Sequence, residues 1–204
     1  MNTLEVKLKY HIKTWADFYK LAKKQFLAYE KLEGIENWKE YDFSIDCAED
    51  QIKFKDMLQI RFIEELTEAS DALDEPEHFL EEITDALNFF ISAYLMLNMD
   101  FKDLPNPEPY LPFEYNLKVP DMEEMSLLTY PLIHKVGYLC NLLKNRPWAQ
   151  SNYLVSMLDF KTRLIELWKA FWKYIGTFGI NKETLFELFE RKVIVNEWRM
   201  KTGY

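Results

Sequence analysis

Apolar residues recur every three or four positions through most of this chain, and that period predicts a run of helices. From Thr14, read as an N-cap, the stretch WADFYKLAKKQFLAYEKL places Phe18, Leu21, Ala22, Phe26 and Tyr29 at helical spacing, with Gly34 as the stop. A looser stretch, ENWKEYDFSIDCAED, leads into a second helix from about Gln51 to Leu73. The residues DEPEH make a tight connection, with Pro76 suited to a first helical turn, and a third helix runs from about Glu77 to Leu97. From Asp100 to Pro120 the period disappears. DFKDLPNPEPYLPFEYNLKVP reads as a plain connection, with a lid or a partner-wrapping arm as the alternatives. Helical period returns from Met122 to Leu143, with Pro131 as a start or kink inside it. It resumes beyond Pro147, continues to Tyr174 and breaks at GTFG. Asn181 is predicted to cap a last helix that reaches about Met200. The expected fold is all-α, a bundle of about six helices in one domain spanning residues 1–204.

Composition agrees and narrows the functional classes. A chain of 204 residues with 49% hydrophobic and 16% aromatic content has ample core for one domain. The formal charge of -9 disfavours a nucleic-acid backbone as partner, because it offers no net cationic surface. Cys47 and Cys140 lie far apart in sequence and are expected to be free thiols in a reducing compartment. The longest apolar run, Leu87 to Met99, is too short for a bilayer and carries Asn88 and Asn98. The opening residues MNTLEVKLKYHIKTW lack the apolar stretch of a signal peptide. A cytoplasmic protein without a membrane partner is the expectation.

The acids on the second and third helices need an explanation. Glu64, Glu65 and Glu68, then Glu81, Glu82 and Asp85, stand among Leu66, Ala69, Leu73, Ile83, Ala86, Leu87 and Phe90. Residues three or four apart share a helix face, so Glu65 projects with Glu68, and Glu82 with Asp85. A short connection packs the two helices antiparallel and brings both pairs together. Four carboxylates in a partly apolar place repel one another, and a hard divalent cation such as Mg²⁺, which takes oxygen ligands and bridges to phosphates, removes the conflict. On spacing alone, two readings stand level: a cation site, or ordinary solvated helix faces.

Glu64-Glu65-x-x-Glu68 followed by Glu82-x-x-Asp85 resembles the EExxE…ExxD signature of the all-α nucleoside triphosphate pyrophosphatases, the superfamily of MazG and the dimeric dUTPases and dCTPases. The ending FERKVIVNEWRMKTGY resembles the dimeric dUTPase/dCTPase C-terminus, with Lys192, Asn196, Arg199, Gly203 and Tyr204 on the matching positions. IGTFGINKETLFELF resembles the segment leading into it. The chain departs from the pattern at Phe189, where the family has Tyr, at Val193 for Asn, at Met200 for Gln, and at Asn88 for the His of many relatives. Gln25 is the nearest counterpart of the family's early Gln.

The resemblance implies hydrolysis of a deoxypyrimidine triphosphate, dUTP or dCTP, to the monophosphate and pyrophosphate by a homodimer in a bacterial or phage-infected cytosol. It implies that Glu65, Glu68, Glu82 and Asp85 hold two or more Mg²⁺ ions, for which Mn²⁺ can substitute. Glu64 is then a candidate, with Glu65, for handling the attacking water. Lys192, Asn196 and Arg199, at i, i+4 and i+7 on one helix, would grip phosphates. Asn88 would face sugar or base, as would Gln25. Two alternatives stay open: a MazG-like pyrophosphatase of broader or purine specificity, and a non-catalytic helical interaction or regulatory protein. His11, His78 and His134 are scattered, and no GxGxxG or phosphate-loop motif appears. Lys144, Asn145 and Arg146 read as a solvated loop, and Trp38, Trp148, Trp168 and Trp172 as core.

Overall fold

A computed structural model describes residues 6–32, 44, 47–143 and 157–203 of the chain. The expectations for Gly34, Trp38, residues 144–147, Trp148 and Tyr204 fall outside the described residues. Within them the chain is all-helical: α1 (Trp15–Leu32), α2 (Ala48–Lys55), a π-helical segment (Asp56–Phe62), α3 (Ile63–Asp71), α4 (Pro76–Met96), α5 (Met122–Asn141), α6 (Met157–Thr177) and α7 (Lys182–Thr202). Because α2, the π segment and α3 follow without a break, they form one rod, and the described residues make six rods in all. None of these helices is long and apolar enough to cross a membrane. Both cysteines are free thiols.

Two helix starts follow from caps read in the sequence, Thr14 and Asn181, and a third from Pro76. Thr14 Oγ1 accepts from the Asp17 amide at 3.1 Å while Asp17 Oδ2 accepts from the Thr14 amide at 3.1 Å, a reciprocal pair that opens α1. Asp121 caps α5 and Asn181 caps α7 through the amides of Glu124 and Thr184. Pro76 occupies the first turn of α4, where its missing N–H costs no hydrogen bond. Pro131, however, lies inside α5 rather than at its start. The expectation of one ordinary helix from Gln51 to Leu73 needs a larger correction. The rod begins at Ala48, ends at Asp71, and spends Asp56–Phe62 in wider π turns.

The core forms around α4. Phe79, Ile83, Ala86, Leu87, Phe90, Ile91, Ala93 and Tyr94 are all buried, so α4 is covered by α3, the π segment, α1 and α7. Phe90 meets Phe62, Phe171 and Trp168 at ring-centroid distances of 5.4, 4.1 and 5.8 Å. Trp168 and Trp172 are fully buried, which places both in the core as expected. Burial of a Tyr94 hydroxyl is tolerated because it donates to the Leu164 carbonyl at 2.6 Å.

Two irregular segments are tied to this core by polar contacts. Residues 100–120 contain only two short 3₁₀ turns and are held by Trp168 Nε1 donating to the Pro105 carbonyl at 2.8 Å and by a Lys182–Glu108 ion pair at 2.7 Å. Farther along, the amides of Asn116 and Lys118 donate to the carbonyls of Gly179 and Phe178, both at 2.9 Å. The proline-rich stretch is therefore a connection laid over the α6–α7 turn. Residues 9–12 wrap the buried carboxylate of Glu190, which accepts the amide N–H groups of Lys9, Tyr10 and Ile12. Burial opposes ionisation of Glu190, but those donors outweigh it and hold the carboxyl below its ordinary value.

Gly179 has φ +72°, and a Cβ built there would lie 1.8 Å from the Asn116 carbonyl oxygen. Left-handed backbone strain and a clash with fixed backbone act together, so Gly179→Ala should cost about 2–4 kcal/mol in urea unfolding. Gly137, helical and with nothing within 4 Å of its Cβ position, is the control. There Ala should add roughly 0.5–1 kcal/mol. Equal effects of the two substitutions would show that the connection is not pinned at Gly179.

Candidate functional site

The hairpin of α3 and α4 brings three of the predicted acids together. One carboxylate oxygen from each of Glu65, Glu82 and Asp85 lies within 4.8 Å of the other two. Glu82 is buried, and the other two are half-buried. The apolar neighbours supplied by Leu66, Ala69, Ile83 and Ala86 leave these groups little water, which is the source of the unusual electrostatics. Burial, the Asp85 charge and a hydrogen bond shared with Glu82 push the Glu65 carboxyl up to about 8. Burial also raises Asp85, to about 6, with the Lys192 ammonium pulling in the opposite direction. His78 Nε2 lies 2.7 Å from Glu82 Oε1, one turn earlier on α4.

Lys192 supplies the opposite wall. This lysine on α7 is buried, and its Nζ forms a short ion pair with Asp85 Oδ2 and a second with Glu81 Oε1 at 3.3 Å. Asn196 and Arg199 continue the same stripe along α7, one and two turns on. On α4 the matching stripe is Glu81, Asp85, Asn88 and Ser92. Between them opens a cleft of about 270 Å³ lined by Glu65, Asp85, Asn88, Ser92, Lys192, Asn196 and Arg199, with Phe26, Tyr29, Met57 and Phe89 as its apolar part. Arg199 has no ion-pair partner among the described residues, so its guanidinium is available to an anion.

Not every predicted site residue joins this group. Glu64 is exposed and turns to Arg61, with Nη1 3.6 Å from its Oε2, because the residue next to Glu65 lies about 100° round the helix. It does not line the cleft. Glu68 is exposed at the rim, outside the triad, where partial desolvation and then the nearby Glu82 charge raise its carboxyl. Gln25 is buried on α1 beside the cleft-lining residue Phe26. Neither its amide oxygen nor its nitrogen is hydrogen-bonded among the described residues. The Tyr29 hydroxyl approaches closely enough to be influenced by the amide, without reaching hydrogen-bonding geometry. None of residues 100–120 lines the cleft, so a lid role for that stretch has no support here.

Five lining residues went unrecognised in the sequence: Phe26, Tyr29, Met57, Phe89 and Ser92. Ser92 was within reach of periodicity, since it extends the row Glu81, Asp85, Asn88. Phe189 and Val193, two departures from the resembled motif, are core residues, with Phe189 packed 4.4 Å from the Phe18 ring. Comparison with family models, curated proteins and solved structures gives no match.

Between the ordinary glutamate value of 4.5 and about 8, the folded chain keeps a proton on Glu65 that the unfolded chain has released. Raising the pH through that window therefore removes stability. In EDTA-dialysed protein, the melting temperature of wild type measured against Glu65→Gln should fall as pH rises across the window. A difference independent of pH would contradict the crowding of these carboxylates.

Proposed function

We propose that the chain is a metal-dependent nucleotide pyrophosphohydrolase that converts a deoxypyrimidine triphosphate, dUTP or dCTP, to its monophosphate and pyrophosphate. The observation that carries this reading is a carboxylate triad, two of whose members, Glu65 and Asp85, share one cleft with Lys192, Asn196 and Arg199. The resemblance of the EExxE…ExxD acids and of the C-terminal Lys192, Asn196 and Arg199 pattern adds to it. An all-oxygen donor set of three crowded carboxylates fits Mg²⁺ or Mn²⁺, whose charge offsets the burial and mutual repulsion that otherwise raise Glu65 and Asp85.

In this reading Glu65, Glu82 and Asp85 hold the metal, and Glu68 beside Glu82 is available to a further ion. Metal bound there supplies neutralisation of phosphate charge and a water of lowered pKa. Arg199 takes phosphate oxygens with its forked donors, Lys192 adds a point charge, and Asn196 fixes direction. Because Glu64 is turned to Arg61, acceptance of the water proton passes to a Glu65 carboxylate oxygen. Asn88 and Ser92 offer hydrogen bonds to sugar or base, with Phe26, Tyr29, Met57 and Phe89 as the apolar wall. The buried amide of Gln25 stands behind that wall. The homodimer belongs to the same proposal, and the mass in solution checks it.

Pyrophosphate release from a panel of dNTPs and NTPs, with and without Mg²⁺, tests the reading. dUTP, dCTP or both should be cleaved only with metal, and Glu82→Gln and Asp85→Asn should abolish the reaction while remaining folded. Arg199→Ala should lower kcat/KM by about ten- to hundredfold, as expected for a charge-assisted phosphate contact. The exposed Lys201 lies off the stripe, so Lys201→Ala should stay near wild type. Preference for purines would favour the MazG-like alternative, and orthophosphate as the only phosphate product would overturn the reaction type.

A further inference from the structure

Lys192 is a buried lysine whose ammonium is shared between two acids one turn apart on α4, Asp85 and Glu81. The two acids are not equivalent. Asp85 belongs to the carboxylate triad, whereas Glu81 lies outside both the triad and the cleft lining. The ammonium is thus already a cation on one member of the triad, with a second carboxylate 3.3 Å away on the side leading out of it. A divalent ion entering the triad must compete with that ammonium for the same negative charge, and in a half-buried place the two cations repel strongly.

We infer that Lys192 is the triad's resident counter-ion and Glu81 its second seat, so that a divalent ion bound by Glu65, Glu82 and Asp85 moves Lys192 from Asp85 to Glu81. The inference rests on reading the triad as a cation site. Glu81 is then a positioning residue that acts through Lys192. Without an added ion, the ammonium keeps three crowded carboxylates tolerable inside the helix pair. The same ammonium makes the triad a weak site for a free ion. Lys192 also lines the cleft, so an anionic ligand offers it a third partner and releases Asp85. Ion and anion are thereby coupled through one side chain, in addition to any direct contact between them.

The test is Mn²⁺ binding to the full chain without nucleotide, read by the paramagnetic resonance of the free ion. Lys192→Met should bind Mn²⁺ about five- to twentyfold more tightly than wild type, the effect of removing one adjacent positive charge. Glu81→Gln should weaken binding about threefold when Lys192 is present and hardly at all in the double variant with Lys192→Met, a non-additivity that general charge loss does not produce. Wild-type binding that Lys192→Met fails to tighten would overturn the counter-ion role and leave the cation site standing. Mn²⁺ bound by neither protein would remove the cation site, and this inference with it. If Lys192→Met does not fold, reductive dimethylation of wild type gives the second readout. Lys192 should be modified several-fold faster with Mg²⁺ than without it, and equal rates would overturn the exchange.

Discussion

Like charge held in an apolar place is the constraint on which the molecule turns. Glu65, Glu82 and Asp85 project from a hairpin whose remaining faces are needed for the core, so the surrounding helices must neutralise them rather than let them reach water. Three partners do so in different ways. The Glu82 carboxyl beside Glu65 favours the latter's protonated form, His78 meets Glu82 from one turn away, and Lys192 reaches across from α7 to Asp85. The last of these contacts requires α7 to lie along α4. That packing in turn sets Asn196 and Arg199 over the cleft and buries Phe189 and Val193 against the core.

The fastening of α7 extends this dependence to both ends of the chain. Glu190 and Glu197 lie two turns apart on α7, a different side from the Lys192 stripe. The first gathers the amides of residues 9–12, and the second takes the Tyr10 hydroxyl and the Lys24 ammonium of α1. Burial works against Glu197, yet the Lys24 and Tyr10 contacts bring its carboxyl down to about 2. Glu65, Glu68 and Asp85 are thus driven toward protonation while Glu190 and Glu197, on the other side of α7, are driven toward ionisation. Burial pushes all five up; neighbouring acids add to it at Glu65 and Glu68, it outweighs the Lys192 ammonium at Asp85, and N–H, O–H and ammonium donors reverse it at Glu190 and Glu197.

Much of this was legible in the sequence because it depends on one helix at a time. Caps at Thr14 and Asn181 and the proline at 76 fixed helix starts. The three-residue spacing of Glu82 and Asp85, and the row Lys192, Asn196, Arg199, follow from the helical period alone. What needed the third dimension was which of several neighbouring acids turn inward. Glu64 and Glu68 belong to the same motif as Glu65 but end exposed, Glu64 turned to Arg61 and Glu68 near Glu82 but outside the triad. Met57 could not be placed either, because the π turns preceding α3 alter the rotation that an ordinary helical period assumes. Phe26 and Tyr29 join the site through the packing of α1, which no local pattern encodes.

The π segment also makes the two halves of the hairpin unequal in how they bear a change of chain length. A π turn holds one residue more than an α turn needs, so a residue lost from Asp56–Phe62 can be absorbed as the segment tightens, leaving α3 in its present rotation. α4 has no such slack between Pro76 and Glu82. One residue gained or lost there swings Glu82 and Asp85 by about 100° away from Glu65 and Lys192. Length variation among related chains should therefore collect in the rod that carries Glu65 and be purged from the one that carries Asp85.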